Sequence, residues 1–164
     1  LRNYTALSQD VEQARNVDLT NLRDSILKDL SKQVQEHSVD IKQQALPVVQ
    51  GQPFQLSQLM QNLLTNAIKF SRDSQPPIVE IGPLIDDRGK EHGFYVRDNG
   101  IGIAEKDKER IFGVFERINA RDKFEGTGIG LAICKRIIDA HHGRIEVLGE
   151  PGDGTEFRVW LPMV

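Results

Sequence analysis

The sequence is poor in cysteine: Cys134 is the only one in 164 residues. An internal disulfide framework is thereby excluded, and the usage fits a reducing compartment. A basic excess is also missing, since Lys and Arg number 21 against 24 Asp and Glu, for a net charge of −3. Binding nucleic acid through counterion release needs a positive surface, so no nucleic-acid partner is expected. No apolar run approaches the ~20 residues of a membrane span, and no signal-peptide pattern opens the chain. The domain is therefore expected to make no membrane contact and to lie in the cytoplasm, whether its parent is soluble or membrane-anchored. Internal repeats and low-complexity tracts are absent as well. What remains is one domain's length, able to bury about two-thirds of its unfolded surface.

Leu1, Tyr4, Leu7, Val11 and Ala14 recur at helical steps and leave only one narrow apolar stripe, so this helix needs a partner helix. Leu1 stands in mid-pattern, which suggests a piece cut from a longer chain. Val17 and Leu19 suit a short strand, and Thr20 suits the cap of a helix that turns Leu22, Ile26, Leu27, Leu30 and Val34 inward. Val39 to Leu46 reads as a strand and Pro47 to Gln52 as a connection. Pro53 is placed to open a helix running to Phe70, because its missing N–H costs nothing at a first turn. Leu56, Leu59, Met60, Leu63, Leu64 and Ala67 form the stripe of that helix. Strands are predicted over Ile78 to Ile85 and His92 to Asp98, then a short charged helix over Ala104 to Phe112. A charged loop follows, then a helix after Gly126-Thr127-Gly128, and two strands centred on Ile145 and Val147 and on Phe157, Val159 and Leu161. Helices interleaved with antiparallel strand pairs predict an α+β two-layer sandwich, with a mixed, mainly antiparallel sheet and about three helices.

Three polar features interrupt the apolar patterns. Asn62, Asn66 and Lys69 are spaced i, i+4, i+7 and share one helix face, where they offer a metal ligand, hydrogen-bond donors and a phosphate counter-charge. The competing reading is an ordinary solvated face. Asp98 has the strand parity of Phe94 and Val96, so it turns inward with them, and Gly100 and Gly102 clear side chains from the backbone beside it. The competing reading is a tight turn whose Asp satisfies backbone N–H groups. Gly126, Thr127, Gly128, Gly130 and Leu131 lead into a helix whose N-terminus favours phosphate, or else form a flexible capped turn. Neither the dinucleotide fingerprint nor a P-loop is present.

In order, LMQNLLTNAIKFS, DNGIGI, IFGVFERI and GTGIGLAICKRIIDAHHGRI resemble the ATP-binding catalytic domain of sensor histidine kinases, within the superfamily of type II topoisomerases, heat-shock chaperones and mismatch-repair ATPases. The last stretch looks most like phytochrome-type and related bacterial kinases. The resemblance covers about Val17 to Pro162 and implies a Bergerat-type fold and two cofactors, ATP and Mg²⁺. It implies that Asp98 accepts from the adenine amino group, with Gly100 and Gly102 giving the base room. Asn66 would be the metal ligand, Asn62 would support the phosphates, and Lys69 and Arg117 would neutralise phosphate charge. Phe112 and Phe115 would anchor a lid over the nucleotide, and Gly126, Thr127, Gly128, Gly130 and Leu131 would line the phosphates. Asn62 stands where hydrolytic relatives carry a glutamate base, which disfavours water activation.

No acceptor motif is present: His37 lacks the acidic residue and proline that follow a phosphorylated histidine in this family. The implied partners are a phosphoacceptor helix of the same protein, absent here, and a downstream response regulator, with a homodimeric parent. Residues 1–15 would be the end of a dimerisation helix and 16–164 the catalytic domain. The fragment would therefore not phosphorylate itself. Two readings compete: a nucleotide hydrolase, and a nucleotide-binding or degenerate module that acts through protein contacts without phosphotransfer. Cys134 reads as a core thiol, and His141 and His142 as imidazoliums that complement a helix C-terminus. Trp160, opposite in parity to Phe157 and Val159, reads as packing on a helix or marking an interface.

Overall fold

The computed structural model describes residues 14–69, 75–89, 91–112 and 130–162. The expected helix over Leu1 to Ala14, apart from Ala14 itself, and the expected lid lie outside these residues. The described residues open with strand β1 (Arg15–Asp18) and helices α1 (Leu19–Asp29) and α2 (Ser31–Glu36). Strands β2 (Asp40–Gln43) and β3 (Val48–Gly51) lead to helix α3 (Pro53–Lys69). The hairpin β4 (Ile78–Ile85) and β5 (Glu91–Asp98) follows, then two 3₁₀ turns, helix α4 (Gly130–Ala140), and the hairpin β6 (Arg144–Gly149) and β7 (Thr155–Pro162). The main sheet runs β2-β4-β5-β7-β6, with β2 parallel to β4 and every other pair antiparallel. The fold is the expected α+β sandwich, with four α-helices among the described residues. None of these helices is long and apolar enough to cross a membrane.

The core forms where α3 and α4 lie on one sheet face. The α3 stripe of Leu56, Leu59, Met60, Leu63, Leu64 and Ala67 is fully buried as its spacing predicts. It joins one core with Val79, Ile81, Phe94, Val96, Phe157, Val159 and Leu161 of the sheet and with Cys134, Ile137 and Ile138 of α4. Each such side chain contributes about 1.5–3 kcal/mol by leaving water. Strand alternation sends Glu80, Tyr95, Arg97, Glu156, Arg158 and Trp160 to the other face, where they form a polar network. There Tyr95 Oη donates to Glu80 (2.5 Å), and Glu156 accepts from both Arg97 and Arg158 (2.5 Å each).

Several local expectations are corrected. Leu19 begins α1 instead of ending a strand, and Asp18, not Thr20, caps it, its Oδ1 accepting from Thr20 N (2.9 Å) and Asn21 N (3.4 Å). Thr20 is drawn to a distant partner: its hydroxyl accepts from Leu46 N at 2.8 Å and donates to Leu46 O at 3.2 Å. The helix expected to reach Val34 breaks at Leu30, which buries its side chain and separates α1 from α2. Residues 47–52 hold β3, which pairs antiparallel with β1. Residues 104–112 form two 3₁₀ turns, Glu105–Asp107 and Arg110–Phe112, in place of one helix. Their i,i+3 ion pairs, Lys108–Glu105 (2.6 Å) and Arg110–Asp107 (3.5 Å), suit a geometry in which such side chains eclipse.

Two contacts set the α3–α4 register. Gln52 N–H donates to His141 Nε2 at 3.1 Å, and the Cys134 thiol reaches Leu59 O at 3.8 Å. Between these contacts the chain advances equally along both segments in opposite directions, so the helices run antiparallel. The same register brings Gly130, the first residue of α4, opposite Leu63, between Asn62 and Asn66.

Candidate nucleotide site

Asp98 ends β5 on the side of Phe94 and Val96, as its parity predicts. Its Oδ1 accepts from Gly100 N at 2.8 Å and from Thr155 N at 3.2 Å. Among the described residues Oδ2 accepts no hydrogen bond. Burial pushes the carboxyl up to about 6 against the pull of those two N–H groups. The site thus holds a desolvated carboxylate with one oxygen fixed and the other available to a donor. The tight-turn reading explains the Gly100 contact but not the one from Thr155, which lies across the sheet in register with Asp98.

Two glycines show why the backbone here tolerates no side chain. Gly102 has φ +78, and a Cβ there would lie 1.9 Å from Glu150 O. Gly154 has φ +82, and its Cβ would lie 2.0 Å from Asp98 O. The left-handed backbone and the close approach both require glycine. Together they press the loop after β5 against the β6–β7 turn, with Gly152 N donating to Ile101 O at 2.8 Å. Gly100 is buried beside Asp98.

On α3, Asn62 and Asn66 are partly buried and Lys69 is exposed. Asn62 hydrogen-bonds the Cys134 thiol, while burial pushes that thiol up to about 12. By the α3–α4 register the α4 N-terminus, with Gly130 and then Leu131, falls at the level of these asparagines, where the positive end of a helix dipole favours an anion. Arg117, Phe115, Gly126, Thr127 and Gly128 lie outside the described residues, whereas Phe112 closes a 3₁₀ turn edge-on to Phe157, with centroids 6.4 Å apart. Among the described residues no group of three or more His, Cys, Asp or Glu could hold a metal alone. Asn66 offers an amide oxygen, the hard kind of donor that Mg²⁺ takes.

Other expectations change. His141 is not an imidazolium. It is buried; its Nδ1–H donates to Ile137 O (2.7 Å), its Nε2 accepts from Gln52 N–H, and burial holds its pKa below the ordinary value. Among the described residues Trp160 is held on the polar sheet face by strand neighbours, Nε1 donating to Glu146 at 2.6 Å, with the Arg144 guanidinium 4.9 Å above its ring. Thr155, Gly154 and Asn99 were missed as site residues. The run Pro-Gly-Asp-Gly-Thr reads only as a turn until the sheet register carries it to Asp98.

The family described as histidine kinase-, DNA gyrase B-, and HSP90-like ATPase matches residues 51–164. Phytochrome-like protein Cph1 of Synechocystis sp. is 38% identical over 160 residues, which is 98% of this chain and 21% of that protein. Sensor histidine kinase RcsC of Escherichia coli is 38% identical over 115 residues, 69% of this chain and 12% of that protein. The chain therefore spans about a fifth or less of these relatives' length. Full-length ShkA in complex with AMPPNP superposes with a TM-score of 0.77 at 29% identity, covering 91% of this chain and 31% of that one. The mycobacterial sensor histidine kinase MprB superposes at 0.76 and 24% identity, over 91% of this chain and 97% of that one, a likeness of fold. With ordered motifs, sheet topology and relatives in agreement, the chain belongs to the histidine kinase-, DNA gyrase B-, and HSP90-like ATPase family, among its sensor histidine kinases.

Proposed function

We propose that this chain is the part of a two-component sensor kinase that binds Mg-ATP and presents its γ-phosphoryl group to a histidine on a dimerisation helix. The observation that carries the reading is Asp98, with Oδ1 saturated by two N–H groups and Oδ2 open to a donor. An adenine amino group supplies such a donor, while a guanine carbonyl would repel the carboxylate. Gly100 and Gly102 leave room for the flat base. Asn66 would hold the metal, which supplies charge neutralisation at the phosphates when bound. Asn62 would support the same region, Lys69 and Arg117 would offset phosphate charge, and Gly126, Thr127, Gly128, Gly130 and Leu131 would contact the phosphates. Phe115 anchors the lid. Positioning and charge compensation are what phosphoryl transfer demands of a protein. Asn62 has no basicity to activate water, which supports transfer over hydrolysis.

Residues 1–15 would be the end of the dimerisation helix, and 16–164 the catalytic domain of a cytoplasmic module in a homodimeric parent that passes phosphate to a response regulator. Calorimetric titration with ATP, with and without Mg²⁺, tests the reading. Binding of about micromolar strength that Mg²⁺ tightens and Asp98→Asn removes is expected; a folded chain that ignores ATP would refute it.

A further inference from the structure

We propose that Asn99 is a positioning residue for Asp98: its side chain adds one rung to the β4–β5 ladder beyond the carboxylate and fixes where Oδ2 stands. The inference rests on the nucleotide reading of Asp98 and deepens it.

Three hydrogen bonds form a fork. Asn99 N–H donates to Ile78 O at 3.3 Å, Ile78 N–H donates to Asn99 Oδ1 at 2.8 Å, and Asn99 Nδ2 donates to Pro76 O at 3.0 Å. Regular β4–β5 pairing reaches only to Val79 opposite Asp98. The residues before Ile78 are Pro76 and Pro77, which have no N–H and cannot extend a ladder. On the β5 side the Asn99 amide takes over, using acceptor and donor on one side chain, while Asp40 N–H holds Pro77 O from β2 at 2.9 Å. On the other flank, a Cβ on Gly154 would sit 2.9 Å from Asn99 Cα, and Thr155 N–H grips Asp98 Oδ1. The Asp98–Asn99 peptide is thus clamped between residues 76–78 and residues 154–155. A carboxylate that recognises one amino group must be held to within about half an ångström by such supports.

The test titrates the 164-residue chain and its Asn99→Ala and Asn99→Asp variants with Mg-ATP and, separately, with Mg-triphosphate, which has phosphates but no base. Thermal melts run alongside. Asn99→Ala is expected to weaken ATP binding about tenfold while triphosphate affinity stays within about twofold. Asn99→Asp, which keeps the acceptor for Ile78 N–H but loses the donor to Pro76 O, should fall between, and it carries the test if the alanine variant does not fold. Equal losses for ATP and triphosphate would overturn the proposal, because a merely structural role weakens both ends of the site. Unchanged ATP affinity in the variants would also overturn it and leave the nucleotide reading standing. A wild-type chain that binds no ATP would sink both.

Discussion

Asp98, half-buried, and His141, buried, are titratable groups set against backbone at opposite ends of the α3–α4 layer, and they are satisfied differently. At the His141 end each ring nitrogen has one partner, the Ile137 carbonyl and the Gln52 amide, so the ring is neutral, fixed in one tautomer and complete. At the Asp98 end one oxygen takes two N–H groups and the other takes none among the described residues. A buried polar group that only holds the fold together is closed; one meant to meet a ligand is left half open at a cost in stability. That contrast separates scaffold from site more sharply than burial or charge alone.

The largest test of the contrast is Asp98→Asn. Its carbonyl would take the two backbone N–H groups and turn the NH₂ toward the adenine amino group. ATP affinity should fall by about 100-fold or more, read by calorimetry. The same change should stabilise the empty fold at pH 8 by about 1–3 kcal/mol, read by urea denaturation, because no charge is then held out of water. Next is Gly102→Ala, which drives a Cβ into Glu150 O at φ +78 and should cost about 2–3 kcal/mol of stability. Close behind, His141→Phe orphans the Gln52 N–H and leaves the Ile137 carbonyl only its backbone donor, the N–H of residue 141; a loss of about 2 kcal/mol with ATP affinity nearly unchanged would mark that end as scaffold. A matching loss of affinity would erase the distinction.

The smallest effect is in pH. Asp98 is raised to about 6 from 3.8. Its contribution to stability is full below pH 4 and is lost as pH rises through about 6. His141, lowered from 6.5, contributes the reverse: stability present above that value and lost as pH falls below it. Melts of Asp98→Asn and His141→Phe from pH 8 to about 4 should therefore deviate from wild type in opposite senses. ATP affinity should weaken as pH drops through about 6, where the carboxylate that accepts from adenine becomes protonated.

Much of this was legible in the sequence where the physics is local. Pro53 and the stripe from Leu56 to Ala67 announced α3, and the shared parity of Phe94, Val96 and Asp98 announced an inward carboxylate. What pairing across the chain decides was not legible. Val48–Gly51 looks like a connection until β1 returns beside it, and Thr20 looks like a cap until Leu46 claims its hydroxyl. The same holds at the site. Gly100 stands two residues from Asp98, so its N–H contact with the carboxylate is local, whereas Thr155 and Gly154 reach it only through the register of β5 and β7. The Asn99 side chain completes a ladder that two prolines interrupt, a role no spacing rule exposes.

The chain's single tryptophan gives these experiments an internal optical probe. Trp160 lies near the β7 end remote from Asp98 and Thr155, on the sheet face away from α3 and α4, beneath Arg144. Its emission should register loss of the sheet while ignoring events at the carboxylate. Intrinsic fluorescence then measures folding alone, and any change in ligand affinity can be set against it in the same cuvette.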